Sequence, residues 1–72
     1  MSLSITLNGE PRTVAPGTTI AALAAEIGLN PAKVAVERNL EIVPRSTLAD
    51  VLIAEGDQIE IVHFVGGGQG DT

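Results

Sequence analysis

The residues with the most distinctive chemistry lie at the end of the chain, where an apolar segment runs into "VGGGQGDT". Gly66, Gly67 and Gly68 carry no side chains, so a stem built from them can enter a channel too narrow for other residues. The group offered by such a stem is a terminal carboxylate, which is ionised at neutral pH and reacts as an electrophile only after another enzyme has activated it. The glycines therefore predict a segment that is used in another protein's active site.

Other residue types offer few routes to catalysis within the chain itself. The sequence has no cysteine and one histidine, His63, so we expect neither a metal site nor an activated nucleophile. The glycine segment is not followed by the helix or the Lys-Ser/Thr pair of a phosphate-binding loop. We expect no catalytic residue, no metal ion and no bound cofactor.

Length and charge limit the class of protein further. The 72 residues provide one hydrophobic core, and the net charge of −5 disfavours nucleic acid and anionic membranes as partners. The first ten residues alternate polar and apolar side chains, unlike a signal peptide, and no apolar run has the length of a membrane span. We expect a cytoplasmic protein that binds neither nucleic acid nor membrane.

The beginning of the chain has the pattern of a β-hairpin. Leu3, Ile5 and Leu7 alternate with polar residues, and Asn8-Gly9 tolerates the positive φ angles of a type I′ turn. "EPRTVA" then predicts an antiparallel return strand.

A short amphipathic helix is predicted over residues 19–27, because Ile20, Leu23, Ala24 and Ile27 have the i, i+3, i+4, i+7 spacing of one buried helix face. Thr18 or Thr19 is its expected N-cap, and Gly28 lies just beyond its C-terminus. After the helix we predict strands at residues 34–37 and 41–43 and a helical turn near residues 46–48. A last strand is predicted within "QIEIVHFV".

One helix and one sheet in so short a chain must bury each other, which predicts a two-layer α+β domain. Because the helix is the crossover between them, we expect the last strand to pair in parallel with the first at the sheet centre. Alternation places Ile59 and Ile61 on the helix side and Val62 and Phe64 on the open face. Exposed apolar residues beside the tail predict a docking patch for a partner protein. The alternative is that Phe64 folds onto a neighbouring loop.

Four segments together resemble the sulfur carriers of thiamine biosynthesis, the ThiS family. They are "ITLNGEPRTV", "TTIAALAAEIGL", "VAVERNLEIVPRS" and "EGDQIEIVHFVGGG", and they cover nearly the whole chain. The resemblance implies the ubiquitin-like β-grasp fold, with a mixed sheet of about five strands packed on one main helix. It also implies a β-grasp domain over residues 1–65 and a flexible glycine-rich tail over residues 66–72.

The same resemblance implies a carrier rather than an enzyme. In the family, a ThiF-like adenylating enzyme uses MgATP to convert the terminal glycine carboxylate into an acyl-adenylate. Sulfur from a cysteine-desulfurase relay displaces the adenylate and leaves a thiocarboxylate, whose sulfur goes to a ThiG-like thiazole synthase. By the match to "VGGG", Gly68 bears the thiocarboxylate, Gly67 completes the terminal pair, and Val65 and Gly66 form the stem of the tail.

The last four residues depart from the family pattern, because family members commonly end at the glycines. Gln69, Gly70, Asp71 and Thr72 would add up to about 14 Å of extended chain and move the terminal carboxylate out of register. We expect a tail-trimming protease to remove them before activation, the alternative being that this copy never carries sulfur. Leu48 stands where many members have an aromatic residue, a difference expected to affect packing rather than chemistry.

Three other functions stay open at this point. The first is sulfur transfer in another pathway, as by the small subunit of molybdopterin synthase, although "VERNLEIVPR" favours thiamine. The second is a ubiquitin-like modifier that is joined to lysines through its glycine. The third is an interaction domain whose tail is idle.

Overall fold

The helix and strands follow the order that the residue patterns predict. The computed structural model describes residues 1–64, so Val65 and the glycine segment lie outside the described residues. Its elements are β1 Leu3–Leu7, β2 Glu10–Val14, α1 Ile20–Glu26, β3 Val34–Arg38, β4 Glu41–Val43 and β5 Gln58–His63. Short 3₁₀ helices precede β3 at Pro31–Lys33 and follow β4 at Arg45–Thr47, the latter one residue earlier than the predicted turn.

The strands form one mixed sheet in the order β2-β1-β5-β3-β4. β5 lies at its centre, parallel to β1 and antiparallel to β3. The predicted central position of the last strand and its parallel pairing with the first are therefore confirmed. Both outer pairs, β1 with β2 and β3 with β4, are antiparallel hairpins.

Helix α1 packs on one face of this sheet and closes the core. Thr19 caps the helix, its hydroxyl oxygen accepting a hydrogen bond from the Ala22 backbone N–H at 3.1 Å. Ile20 and Leu23 are fully buried, as their helical spacing predicts. The core consists of Ile5, Val14, Ile20, Leu23, Ala24, Val34, Val36, Leu48, Ile53, Ile59 and Ile61. In residues 1–64 no helix has the length and hydropathy needed to cross a bilayer.

Leu48 is part of this core, with an exposed fraction of 2%. An aliphatic side chain therefore fills the position where the family resemblance leads us to expect an aromatic one. Its burial places this difference inside the domain and not at its surface.

The two hairpins turn through the same backbone geometry but with different residues. Asn8 and Gly9 have φ angles of 52° and 83°, which confirms the predicted type I′ turn. At the β3–β4 hairpin the corresponding residues are Asn39 and Leu40, with φ angles of 53° and 71°. A leucine in the left-handed region is sterically strained, because its Cβ approaches the following carbonyl oxygen.

We expect Leu40→Gly to raise the free energy of unfolding by about 1 kcal/mol, because glycine removes this strain. The Leu40 side chain is 80% exposed, so little packing is lost with it. Urea denaturation followed by circular dichroism measures the change. Leu40→Ala is the matched control, since it removes the exposed side chain but keeps the strained Cβ. Equal stabilities of the Leu40→Gly and Leu40→Ala variants would contradict the view that the gain in stability comes from relief of backbone strain.

Candidate functional site

The candidate site is the face of the sheet opposite α1, at β3, β4 and β5. This open face is formed by Ala35, Glu37, Ile42, Glu60 and Val62, which line a shallow groove of about 150 Å³ together with Val36. Val62 is 62% exposed and Ile42 is 79% exposed. Apolar side chains exposed in this way on a small domain are typical of protein-binding surfaces.

Val62 and Phe64, the predicted docking residues, both lie at the surface where β5 ends, immediately before the glycine segment. The structure adds Ile42 to them, because Ile42 and Val62 line the same groove. The sequence predicts a strand at residues 41–43 but not its faces, because three residues are too few for an alternation pattern. The structure determines the faces by pairing Ile42 with Glu37 across the hairpin.

Phe64 is held by two contacts and is still half exposed. Its backbone N–H donates to the carbonyl oxygen of Lys33 at 2.9 Å, which extends the contact between the strands beyond His63. The Arg45 guanidinium lies 5.4 Å from the centre of the Phe64 ring, within the range of a cation–π interaction. The ring is 47% exposed. Phe64 thus contacts a neighbouring loop, as the alternative to a docking role predicts. About half of its surface remains exposed and could contact a partner protein.

The start of β5 is fixed by a buried carboxylate, Asp57, which is 5% exposed. Its Oδ2 accepts from Arg38 Nε and from the Ala54 backbone N–H, both at 2.8 Å, and its Oδ1 accepts from Asn39 Nδ2 at 3.1 Å. Asn39 in turn accepts from the Gln58 backbone N–H at 2.9 Å. These bonds join the strained β3–β4 turn to the first residue of β5.

The pKa of Asp57 reflects the same contacts. Burial raises this pKa, but the hydrogen bonds from Ala54, Asn39 and Arg38 and the positive charge of Arg38 outweigh burial, so that the pKa lies below its ordinary value. Asp57 is therefore ionised at neutral pH and acts as a structural anion. No local pattern in the sequence predicts this role for Asp57.

The other half of β5 is fixed by Asn8. Its side-chain Oδ1 accepts from the Ile61 backbone N–H at 2.8 Å, and its Nδ2 donates to the Ile61 carbonyl oxygen at 3.3 Å. The amide thus replaces a backbone partner just where β1 has ended at Leu7. Because Asp57 and Asn8 act at different points of β5, the strand is anchored along its length up to the exposed residues.

The described residues show little that could perform catalysis. His63 is exposed at the end of β5. Within residues 1–64, no three histidine, aspartate or glutamate side chains gather as metal ligands. The arrangement offers a strand anchored by side-chain hydrogen bonds and an exposed apolar face. The predicted roles of Val65, Gly66, Gly67 and Gly68, and of the trimmed residues 69–72, lie outside the described residues.

Known proteins are similar in sequence to this chain over most of its length. The model of the ThiS family matches residues 5–68. The sulfur carrier protein ThiS of Bacillus subtilis is 48% identical over 50 residues, covering 69% of this chain and 76% of that protein. A thiazole synthase of Magnetococcus marinus is 52% identical over 67 residues, covering 93% of this chain and 21% of that protein. The chain spans about a fifth of the length of the two thiazole synthases that it matches.

Solved structures show the same fold. The crystal structure of the thiamine biosynthesis protein ThiS from Geobacter metallireducens has a TM-score of 0.75 at 30% identity and covers 92% of this chain and 100% of that chain. A designed protein based on human ubiquitin has a TM-score of 0.51 at 24% identity, covering 93% and 95%, and shows the fold alone. The predicted ubiquitin-like β-grasp fold is confirmed. The family match agrees with a carrier protein rather than an enzyme, and the chain belongs to the ThiS family.

Proposed function

We propose that this chain carries sulfur, as a thiocarboxylate on Gly68, for thiazole formation in thiamine biosynthesis. One observation carries the proposal: the family match extends through all three glycines and ends at Gly68. It thus includes the residue that would react and none of the four residues after it. The anchored strand β5 supports the same reading, because it leads directly from the exposed face into this segment.

The chemistry takes place on the carboxyl group of Gly68 in a partner's active site. A ThiF-like enzyme with MgATP forms the acyl-adenylate and releases pyrophosphate, and a sulfur donor then displaces AMP to leave the thiocarboxylate. The carrier contributes position and shape. If extended, residues 65–68 reach at most about 14 Å, so the domain can dock outside a channel while Gly68 enters it. MgATP belongs to that partner, and we place the reaction in the cytoplasm.

Docking would use Val62 and Phe64, together with Ile42. All three side chains are exposed, Val62 and Ile42 line the groove of the open face, and Phe64 directly precedes the stem at Val65. Burying them against an adenylating enzyme would fix the direction in which the tail leaves the domain. Apolar anchors of this kind supply much of the affinity in protein interfaces.

Any residues that follow Gly68 must be removed before its carboxyl group can react. We therefore propose that a protease cuts the bond between Gly68 and Gln69 and releases residues 69–72. The reason is chemical, because a carboxyl group held in a peptide bond cannot be adenylated.

Thiazole synthase is the proposed acceptor of the sulfur. Two relatives that carry this name contain a segment similar to nearly the whole of this chain. A carrier-like segment in the same polypeptide as a protein named thiazole synthase supports a partnership between the two. The same evidence favours thiamine over the molybdopterin route.

Intact-mass spectrometry tests the function. We expect the full chain, incubated with a ThiF-like enzyme, MgATP, a sulfur donor and a bacterial extract as the source of protease, to yield a species ending at Gly68. Its mass should exceed that of the carboxylate by the difference between sulfur and oxygen. Omitting ATP is the control. Lysine-linked conjugates would instead support the modifier, and sulfur delivery to molybdopterin synthase alone would contradict the thiamine assignment.

A further inference from the structure

Two carboxylates lie side by side in the groove of the open face. Glu37 on β3 and Glu60 on β5 are direct partners in the antiparallel register, and both line the groove. Like charges directly opposite each other destabilise a sheet. An arrangement that costs stability in the free domain and lies on its exposed face points to compensation by a bound partner.

The chain itself does not supply that compensation. Its four basic residues are Arg12, Lys33, Arg38 and Arg45. In the described part of the chain the ion pairs are Arg12 with Glu26 and Arg38 with Asp57. Arg45 lies over the Phe64 ring, and Lys33 forms no ion pair with either glutamate among these residues. The residues beyond 64 include no lysine or arginine. A cation for the two carboxylates must therefore come from outside.

The groove also has apolar walls beside the carboxylates. Ile42 is the cross-strand partner of Glu37, so Ile42, Glu37 and Glu60 form one row across three strands. Ala35 and Val62 form the adjacent row. A groove of about 150 Å³ with this lining suits a side chain that has an apolar stem and a positively charged end. Arginine fits best, because its planar guanidinium can bond two carboxylates at once.

We propose that the open face docks a partner protein through an arginine that enters this groove, packing its methylene groups on Ile42 and Val62 and pairing with Glu37 and Glu60. This inference rests on the proposed function, because the partner is a protein that holds the domain while it acts on the tail. The net charge of −5 favours such a basic surface. A second copy of this chain is disfavoured, since pairing two open faces would bring two acidic pairs together.

The test compares two double variants that lose the same charge, each first treated with the protease-containing extract so that it ends at Gly68. Glu37→Gln with Glu60→Gln neutralises the groove, and Glu10→Gln with Asp50→Asn neutralises two exposed carboxylates elsewhere. With a ThiF-like enzyme, we expect the groove variant to raise KM on the order of tenfold at low ionic strength, while kcat is unchanged. Added salt should reduce the difference in KM between the groove variant and the unchanged chain, because it screens the charges. The control variant should keep the KM of the unchanged chain.

Stability and direct binding complete the test. The groove variant should be at least as stable as the unchanged chain, because the like-charge pair is gone. An arginine flanked by two leucines in a capped tripeptide should shift the NMR signals of Ile42 and Val62, and the groove variant should abolish these shifts.

Each outcome decides between the two proposals. An unchanged KM in the groove variant, or a salt-dependent dimer formed through the open face, would overturn the arginine site. If the unchanged chain gains no sulfur at all, the proposed function fails. The tripeptide then decides the docking inference by itself, with absent shifts counting against it.

Discussion

Asp57→Ala is expected to unfold most of the protein at room temperature. The substitution removes a carboxylate that is itself 5% exposed and leaves the Arg38 guanidinium, the Asn39 amide and the Ala54 N–H without their acceptor. Removing one partner of a buried ion pair costs about 3–5 kcal/mol, which equals the whole stability of roughly 3–5 kcal/mol expected for a core of this size. Urea denaturation and the dispersion of NMR signals would measure the loss.

Asp50→Ala is the matched control for Asp57→Ala, because Asp50 is an exposed aspartate on the same connection between β4 and β5. It should change the free energy of unfolding by less than about 0.5 kcal/mol. A similar small change at Asp57 would show that the three donors find water or other acceptors, and that β5 is anchored in some other way.

The pH dependence of stability gives the Asp57 prediction a second measurement. The pKa of Asp57 in the folded state is below its ordinary value of 3.8, so the folded state favours the ionised form. The contacts of ionised Asp57 therefore stabilise the folded state fully above pH 3.8. This stabilisation is lost as the pH falls through the lower pKa of the folded state. Asp57→Asn removes the titrating group but keeps an acceptor oxygen. We expect this variant to be less stable at neutral pH and to lose less on acidification than the unchanged chain.

Local residue patterns predicted the parts of the fold that depend on neighbours in sequence. Asn8-Gly9 specified a turn through its positive φ angles, and the spacing of Ile20, Leu23 and Ala24 specified a buried helix face. The parallel pairing of β1 with β5 followed from the crossover helix, a rule that concerns whole elements. The helix itself covers Ile20–Glu26, shorter than the predicted 19–27 because Thr19 and Ile27 are its caps.

The features missed by the sequence analysis depend on contacts between distant residues. Asp57 meets Arg38 and Asn39, which are 19 and 18 positions away, and nothing in "EGDQ" specifies partners at that distance. The opposition of Glu37 and Glu60 depends on the register between two strands, which one shifted residue would abolish. Gly68 was singled out by the family resemblance, since the physical argument alone did not distinguish one glycine from the next.

Gly67→Val is expected to lower kcat/KM for thiocarboxylate formation by about 10²-fold or more. The proposed reaction requires the stem to pass through a channel that admits only backbone, and valine adds a branched side chain one residue before the reacting carboxyl group. Even a small displacement of the carboxylate from the α-phosphate of ATP, or of the acyl carbon from the attacking sulfur, costs most of the rate. Intact-mass spectrometry of timed samples would measure the loss.

The informative comparison uses chains that end at Gly68, so that no protease is needed. The unchanged short chain should be adenylated and take up sulfur directly, whereas the short chain with Gly67→Val should remain a carboxylate. Gly70→Val in the full chain, treated with the protease-containing extract, is the matched glycine-to-valine control, because the proposed trimming would remove residue 70 and leave the final product the same. All three should keep the thermal stability of the parent, since the core residues lie between Ile5 and Ile61. Normal adenylation of the valine variant would refute the narrow-stem argument, and failure of the unchanged short chain would refute Gly68 as the reacting residue.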